Sequence, residues 1–233
     1  MNKTVELTPR LRLAAELVPQ GARLADIGTD HAYLPTWLLL EGRIPSAIAA
    51  DLREGPLARA RETARQYGCG DRMEFRLCDG LSGVRPEEID AVVIAGMGGE
   101  TIAGILQAAP WVRTRAVELI LQPMSTQPEL RRWLADNGME IRTERLAREG
   151  DSLYVVMGVG PGKMTLTPGE CWAGRQSRDP LRGEYLARQL SRLDRALAGM
   201  ALARGEQVEQ RRRELEEIRR QVADMKEEWQ KWQ

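Results

Sequence analysis

The sequence predicts an α/β domain on a mostly parallel seven-stranded sheet, followed by a helical hairpin, and three observations predict it. Short apolar strand patterns alternate with helical ones from about residue 24 to residue 137, the signature of strands joined by crossover helices. Residues 91–95 are a continuous apolar run, the mark of a strand buried on both faces. Beyond about Pro180 the apolar residues step by four and three, as in packed helices.

The elements follow in order. Thr8-Pro9 opens a helix, with Thr8 as N-cap and Pro9 in the first helical position; Leu11, Ala14, Ala15 and Val18 form its apolar face. Pro19-Gln20-Gly21 ends it. Leu24-Ala25-Asp26-Ile27-Gly28-Thr29-Asp30-His31-Ala32-Tyr33-Leu34-Pro35 reads as a buried strand, a tight acidic turn and the first turn of a helix. That helix continues over residues 36–40 and closes near Gly42. Residues 47–51 make a second strand, ending in Asp51. A helix runs from Gly55-Pro56 to about Tyr67, and residues 73–77 alternate as a third strand. The fourth strand, 91–95, leads into Gly96-Met97-Gly98-Gly99 and a helix to about Gln107. The fifth, 118–121, precedes Gln122-Pro123, and a helix over 129–137 stops before Gly138. Residues 141–146 and 152–159 pair as an antiparallel edge around Glu149-Gly150-Asp151.

Pro161, Gly162, Pro168, Gly169 and Gly174 punctuate a connection, giving a sheet domain at 1–160, a linker at 161–179 and a hairpin at 180–233. One heptad stripe holds Leu186, Leu190, Leu193, Leu197 and Met200. Another holds Val208, Leu215, Ile218, Val222, Met225, Trp229 and Trp232. The phase breaks near Gly205, which favours an antiparallel coiled-coil hairpin over one unbroken helix in an intermolecular coiled coil.

At 233 residues the chain accommodates one core domain and an appendage, and 42% hydrophobic with 29% charged residues suits a soluble protein. The net charge of zero announces no nucleic-acid binder, although neutral totals conceal local basic patches. Cys69, Cys78 and Cys171 are scattered and His31 is the only histidine, which argues against a Cys/His metal site and against a disulfide framework. With no signal-peptide core and no long apolar run, the expected compartment is the cytoplasm.

The chemistry concentrates at strand ends. A dinucleotide fingerprint needs G-x-G-x-x-G, but here only Gly28 is present, with Asp30 and Ala32 where further glycines would fall. Gly28 is read as the position of close backbone approach. A carboxylate at Asp30 repels a pyrophosphate and suits a cationic ligand without phosphate. S-adenosyl-L-methionine, with its sulfonium, ammonium and adenosine, has that chemistry. The alternative is that Asp30 only caps the helix, and spacing alone does not separate the two. Asp26 and Asp51 end the first and second strands about 25 residues apart, the offset at which an acid accepts from ribose hydroxyls. Asp79-Gly80-Leu81 follows the third strand, where Asp79 can accept from an adenine amine while the backbone reads the ring; a simple Asp-Gly turn is the other reading. Gly96-Met97-Gly98 leaves backbone bare beside the site, without the polar run that activates exocyclic amines. That favours a ring nitrogen with its own in-plane lone pair, or else reflects tight strand–helix packing.

These runs resemble the bacterial tRNA (adenine(22)-N(1))-methyltransferase family. The similarity rests on residues 25–35, Gly55-Pro56, Asp79-Gly80-Leu81, Ile94-Ala95-Gly96-Met97-Gly98-Gly99 and Leu121-Gln122-Pro123. Thr29 stands where the family commonly has Ser, Asp51 where it has Glu, and Met124 where it has Asn. The resemblance implies a Rossmann-like class I methyltransferase domain with a C-terminal coiled coil. It also implies methyl transfer from S-adenosyl-L-methionine to N1 of adenine 22 in tRNA, with no metal. Asp26, Gly28, Asp30, His31, Asp51, Asp79, Gly80, Leu81, Gly96, Met97 and Gly98 are then expected at the cofactor, and Tyr33, Gly99, Gln122 and Pro123 at the substrate. Asp30 is the expected stabiliser of the developing positive charge, with His31 as a proton acceptor or as an orienting group. Arg10, Arg12, Arg131, Arg132, Arg142, Arg145, Arg148 and the hairpin arginines, including 211–213, are the candidate phosphate contacts. A monomer is expected, with a coiled-coil dimer as the alternative. The competing functions are a small-molecule methyltransferase and a non-catalytic cofactor- or RNA-binding adaptor.

Overall fold

The computed structural model of the chain describes residues 5–175, 178–201 and 203–231. Strands β1 (Leu24–Ile27), β2 (Ala47–Asp51), β3 (Met73–Leu77), β4 (Ala91–Gly98), β5 (Glu118–Ser125), β6 (Met139–Glu149) and β7 (Ser152–Pro161) form one sheet in the order β3-β2-β1-β4-β5-β7-β6. The first five pair in parallel, and β7 runs antiparallel to both β5 and β6. Helices α1 (Pro9–Leu17), α2 (Tyr33–Leu40), α3 (Glu54–Tyr67), α4 (Gly99–Ala108) and α5 (Gln127–Asp136) cover the two faces. One core gathers Leu13, Trp37, Leu38 and Val93; the other gathers Ile94, Ile102, Leu121 and Leu130. Val155 and Val156 fall in different cores, as a period of two requires.

The chain moves outward from β1 to β2 and β3, then returns to β4 on the other side of β1. At such a reversal the flanking connections leave in opposite directions and open a crevice at the carboxyl ends of the strands.

Two strands outrun their apolar signal. β4 continues through Gly96-Met97-Gly98 and β5 through Gln122-Pro123-Met124, with register shifts around Met97. Backbone pairing extends these strands where apolar side chains do not, so hydrophobicity alone ends them early. Thr8 starts α1, but its hydroxyl makes no capping bond.

The connection after β7 is more ordered than its prolines and glycines suggest. It carries α6 (Pro168–Ala173), opened by a capping box in which the Thr167 hydroxyl accepts from Glu170 N–H and the Glu170 carboxylate accepts from Thr167 N–H. Two buried arginines close its other end. Arg131 donates to the carbonyls of Cys171 (2.8 Å) and Trp172 (3.1 Å), and Arg182 to those of Ala173 and Gly174 (3.1 Å each). Cations at the carbonyl end oppose the helix dipole and satisfy its orphan acceptors. Arg131 also donates from Nε to Glu144 on β6 at 2.8 Å, and both side chains are almost wholly buried.

α7 (Arg182–Gly199) and α8 (Glu206–Lys231) fold back on each other. The start of α7 meets the end of α8, where Trp229 covers Gly183; the end of α7 meets the start of α8, where Arg212 donates to Met200 O at 2.9 Å. The pair is therefore antiparallel, and a single unbroken helix is excluded. Leu186, Leu193, Leu215, Ile218 and Val222 form its core, flanked by Leu190, Leu197, Met200, Met225 and Trp229. Gly205, at φ +125°, lies in the turn. Trp232, assigned to the same stripe, lies outside the described residues.

Arg131→Met leaves Glu144 buried without its cation, which costs about 3–5 kcal/mol. Urea unfolding checks this. The double variant Arg131→Met/Glu144→Gln should recover part of the loss, and equal stability of the single variant and wild type would contradict the assignment.

Candidate active site

A cavity of about 370 Å³ opens at the crevice between β1 and β4, lined by Asp26, Gly28, Asp30, His31, Tyr33 and Gly96 together with Thr8, Arg10, Leu11, Thr29, Leu34 and Ala95. Its size lies within the range of small-ligand sites.

Asp26 is its most strained group electrostatically. The residue is 6% exposed, and its Oδ2 accepts from the Thr29 hydroxyl at 2.6 Å. Burial pushes its pKa up to about 6, the Thr29 bond opposes that rise, and the Asp51 carboxylate adds to it. Asp51 itself is buried at the end of β2, and its Oδ1 accepts from Arg53 N–H at 2.9 Å.

The turn after β1 is built from unusual backbone. Gly28, Asp30 and Ala32 have φ of +74°, +42° and +53°. A side chain at Gly28 would put Cβ 2.1 Å from Met97 Cε, so the missing side chain makes room for Met97, which packs over the turn from β4. The close approach read at Gly28 is made here by the Met97 side chain. Helix α2 starts at Tyr33 with Ala32 as N-cap, so Asp30 does not cap it. Asp30 instead projects outward, 60% exposed at its side chain, paired with Arg59 on α3 and 3.9 Å from His31 Nε2. His31 and Tyr33 stack, with ring centroids 5.1 Å apart and planes 2° off parallel. Tyr33 is 43% exposed, a flat aromatic surface at the cavity rim.

On the other side stands a bracket that local sequence does not reveal. Gln122, expected at a substrate edge, is 0% exposed. Its Oε1 accepts from Arg10 Nη1 (2.9 Å) and Gly96 N–H (3.1 Å), and its Nε2 donates to Pro123 O at 3.2 Å. Gln122 therefore holds the cavity wall and does not present a free amide. Arg10 is anchored in turn by Glu149 on β6, which accepts from its backbone N–H at 2.8 Å and lies 3.4 Å from its Nε. Glu149 is 139 residues away in sequence, so no spacing could have paired them.

Three further expectations change. Gly99 is buried and packs against the backbone, since a Cβ there would lie 2.5 Å from Thr126 O; it is not open to a substrate. Pro123 is also buried, within β5. Leu81 is buried in the core and is not among the residues that line the cavity. Asp79 and Gly80 form an exposed turn beyond β3, with Ser82 N–H donating to Asp79 O. With Asp51 they continue the acidic row along the strand ends, outside the cavity lining.

Most arginines read as phosphate contacts are already engaged. Arg131 is wholly buried and cannot meet RNA. Arg10 lines the cavity. Arg142, Arg145 and Arg148 pair with Glu118, Glu16 and Glu184, while Arg12 lies over the Trp37 ring. Arg211 and Arg212 pair within α8, and Arg213 donates to Glu209 O. Arg132 is exposed and forms no ion pair among the described residues.

A methyltransferase-domain family model matches residues 7–157. The Bacillus subtilis tRNA (adenine(22)-N(1))-methyltransferase is 38% identical over 157 residues, 67% of this chain and 66% of the relative, so the alignment spans about two thirds of its length. The structure of a putative tRNA (m1A22) methyltransferase from Streptococcus pneumoniae superposes with a TM-score of 0.84 at 32% identity, covering 95% of this chain and 100% of that one. The same protein in complex with S-adenosyl-L-methionine gives 0.82 at 31% identity, again with 95% and 100% coverage.

Asp26 has a consequence for stability. Its folded pKa, about 6, exceeds the ordinary 3.8, so ionisation opposes folding. That opposition is absent below about pH 4, grows to about pH 6 and is then constant, on the order of 3 kcal/mol. In unfolding of the ligand-free protein, Asp26→Asn should be more stable than wild type above pH 6, and the difference should vanish near pH 4. A pH-independent difference would contradict the burial argument.

Proposed function

The chain belongs to the tRNA (adenine(22)-N(1))-methyltransferase family, and from that premise we propose that it transfers the methyl group of S-adenosyl-L-methionine to N1 of adenine 22 in tRNA. The observation that carries the proposal is the anionic cavity at the β1–β4 crevice, with buried Asp26 inside it and Asp30 at its mouth. The donor set fits the cofactor: carboxylates face a cationic ligand, and the acids at the ends of β2 and β3 extend the row on which ribose and adenine hydroxyl and amine donors can lie.

S-adenosyl-L-methionine supplies an electrophilic methyl group on a sulfonium. Asp26 holds the cationic end of the cofactor, and Asp51 accepts from its ribose. The stacked His31–Tyr33 pair at the rim receives the target base, which must leave its own stack to expose N1. The N1 lone pair forms the new N–C bond as the S–C bond breaks, and the positive charge passes from sulfur to the ring. No proton leaves N1, so His31 acts through stacking and orientation rather than as an obligatory base. Asp30 follows the charge onto the ring as an electrostatic stabiliser, its carboxylate oriented by Arg59. Alignment of the two reacting atoms supplies much of the acceleration.

The same reading gives the chain three parts: a catalytic domain at 1–160, a connection at 161–179 and a coiled-coil arm at 180–233. The protein acts as a cytoplasmic monomer. Among the described residues no helix is long and apolar enough to cross a membrane, and no cluster of three metal-ligating side chains occurs. Exposed Arg132 remains a candidate phosphate contact.

Mass mapping of tRNA incubated with the protein and labelled cofactor should find N1-methyladenosine at position 22. Asp30→Ala should lower kcat by about tenfold or more while changing cofactor affinity less. Absence of N1-methyladenosine would overturn the function, and equal losses in kcat and affinity would reduce Asp30 to a binding residue.

A further inference from the structure

A second cavity, of about 270 Å³, lies at the seam between β7 and α7, and the function proposed above does not use it. Tyr154, Gln189, Arg188, Arg192, Gln127 and Met124 shape it, and no carboxylate is among its lining residues.

Gln189 is the telling member. It is 5% exposed, yet its side-chain amide has no hydrogen-bond partner among the described residues. Its amide is not among the buried orphaned side-chain atoms, so it is open to the cavity and its donor and acceptor are available to a polar ligand. Arg192, one helical turn further along α7, likewise has no hydrogen bond or ion pair among the described residues. Arg188 is committed to Glu184 at 2.6 Å and to Asp151 O. Tyr185 is held against buried Arg131, which leaves Tyr154 as the aromatic surface.

The two cavities are neighbours whose lining residues touch. Arg10, which lines the first, places Cζ 5.8 Å from the centroid of Tyr154, which lines the second. Gln122 binds Gly96 N–H on the first side, while its Nε2 lies 3.4 Å from Met124 Sδ on the second. The second cavity is therefore next to the first.

We propose that the second cavity is a nucleotide subsite for a residue flanking the target adenine in the RNA. Its base lies against Tyr154, the Gln189 amide pairs with the base edge, and Arg192 meets the phosphate. An aromatic face, a bidentate amide and an unpaired guanidinium are the groups that recognise an unstacked nucleotide. The inference rests on the RNA-methylating reading and deepens it, since it gives α7 a direct part in substrate binding.

The test compares wild type with Tyr154→Leu, Gln189→Leu and Arg192→Ala. The substrates are tRNA transcripts that carry either the natural nucleotide or an abasic one on each side of the target. Gln189→Leu keeps side-chain volume at a buried position, so retained melting temperature separates a lost contact from lost folding. Each variant should raise KM for tRNA, by about tenfold for Tyr154→Leu, with a smaller change in kcat and in cofactor affinity. One abasic substitution should cost wild type about tenfold and cost Tyr154→Leu little more. Variants that leave KM unchanged, or abasic effects that multiply with those of the variants, would overturn the subsite while wild type still forms N1-methyladenosine. If wild type forms none, the reading beneath it fails and the subsite falls with it.

Discussion

Everything at the candidate site depends on one costly placement: the carboxylate of Asp26 is buried at the carboxyl end of β1 with a single hydroxyl partner. Burial of that kind opposes ionisation unless a cation arrives. The fold places it there because β1 is an interior strand at the point where the chain reverses direction. There the crevice brings the acid close to the exposed Asp30 and to the bare backbone of Gly96. The protein thus holds an anionic socket whose favourable state is the occupied one.

Distant parts of the chain keep that socket in shape. Gln122 fixes the Gly96 backbone and Arg10, and Glu149 fixes Arg10. This bracket ties α1, β5 and the β6–β7 edge together. A second tie, through Arg131 and Arg182, closes α6 and seats the hairpin on the sheet domain. Both ties consist of guanidinium groups on fixed acceptors, a geometry that suits arginine more than lysine. The seam they produce holds the cavity that carries Gln189 and Arg192 next to the first.

The sequence makes the parallel part of the sheet legible because β1, β2 and β4 open as continuous apolar runs, β3 alternates, and the turns carry Gly and Pro. The acidic row is legible for a similar reason, since Asp26 and Asp51 lie at the ends of recognisable strands and Asp79 just beyond one. The ends of β4 and β5 are not legible, because glycines and a glutamine continue a strand by backbone pairing alone. α6 hides inside what reads as a linker, since two arginines from elsewhere in the chain close its end. The role of Gln122 as a bracket, and of Arg10 as a cavity wall, depends on partners 112 and 139 residues apart. Arg131 looks like any surface arginine in sequence, and only its partner Glu144 on β6 reveals that it is interior.

The central claim is that a buried, ionised Asp26 receives a cationic methyl donor. Calorimetric titration of the protein with S-adenosyl-L-methionine from pH 5 to pH 8 tests it most directly. Below the Asp26 pKa of about 6 a proton must leave before the cation binds. Affinity should therefore rise about tenfold per pH unit up to that point and level off above it, and Asp26→Asn should flatten the dependence. Binding that is equally tight across the range in wild type, or no binding heat at any pH, would contradict the account.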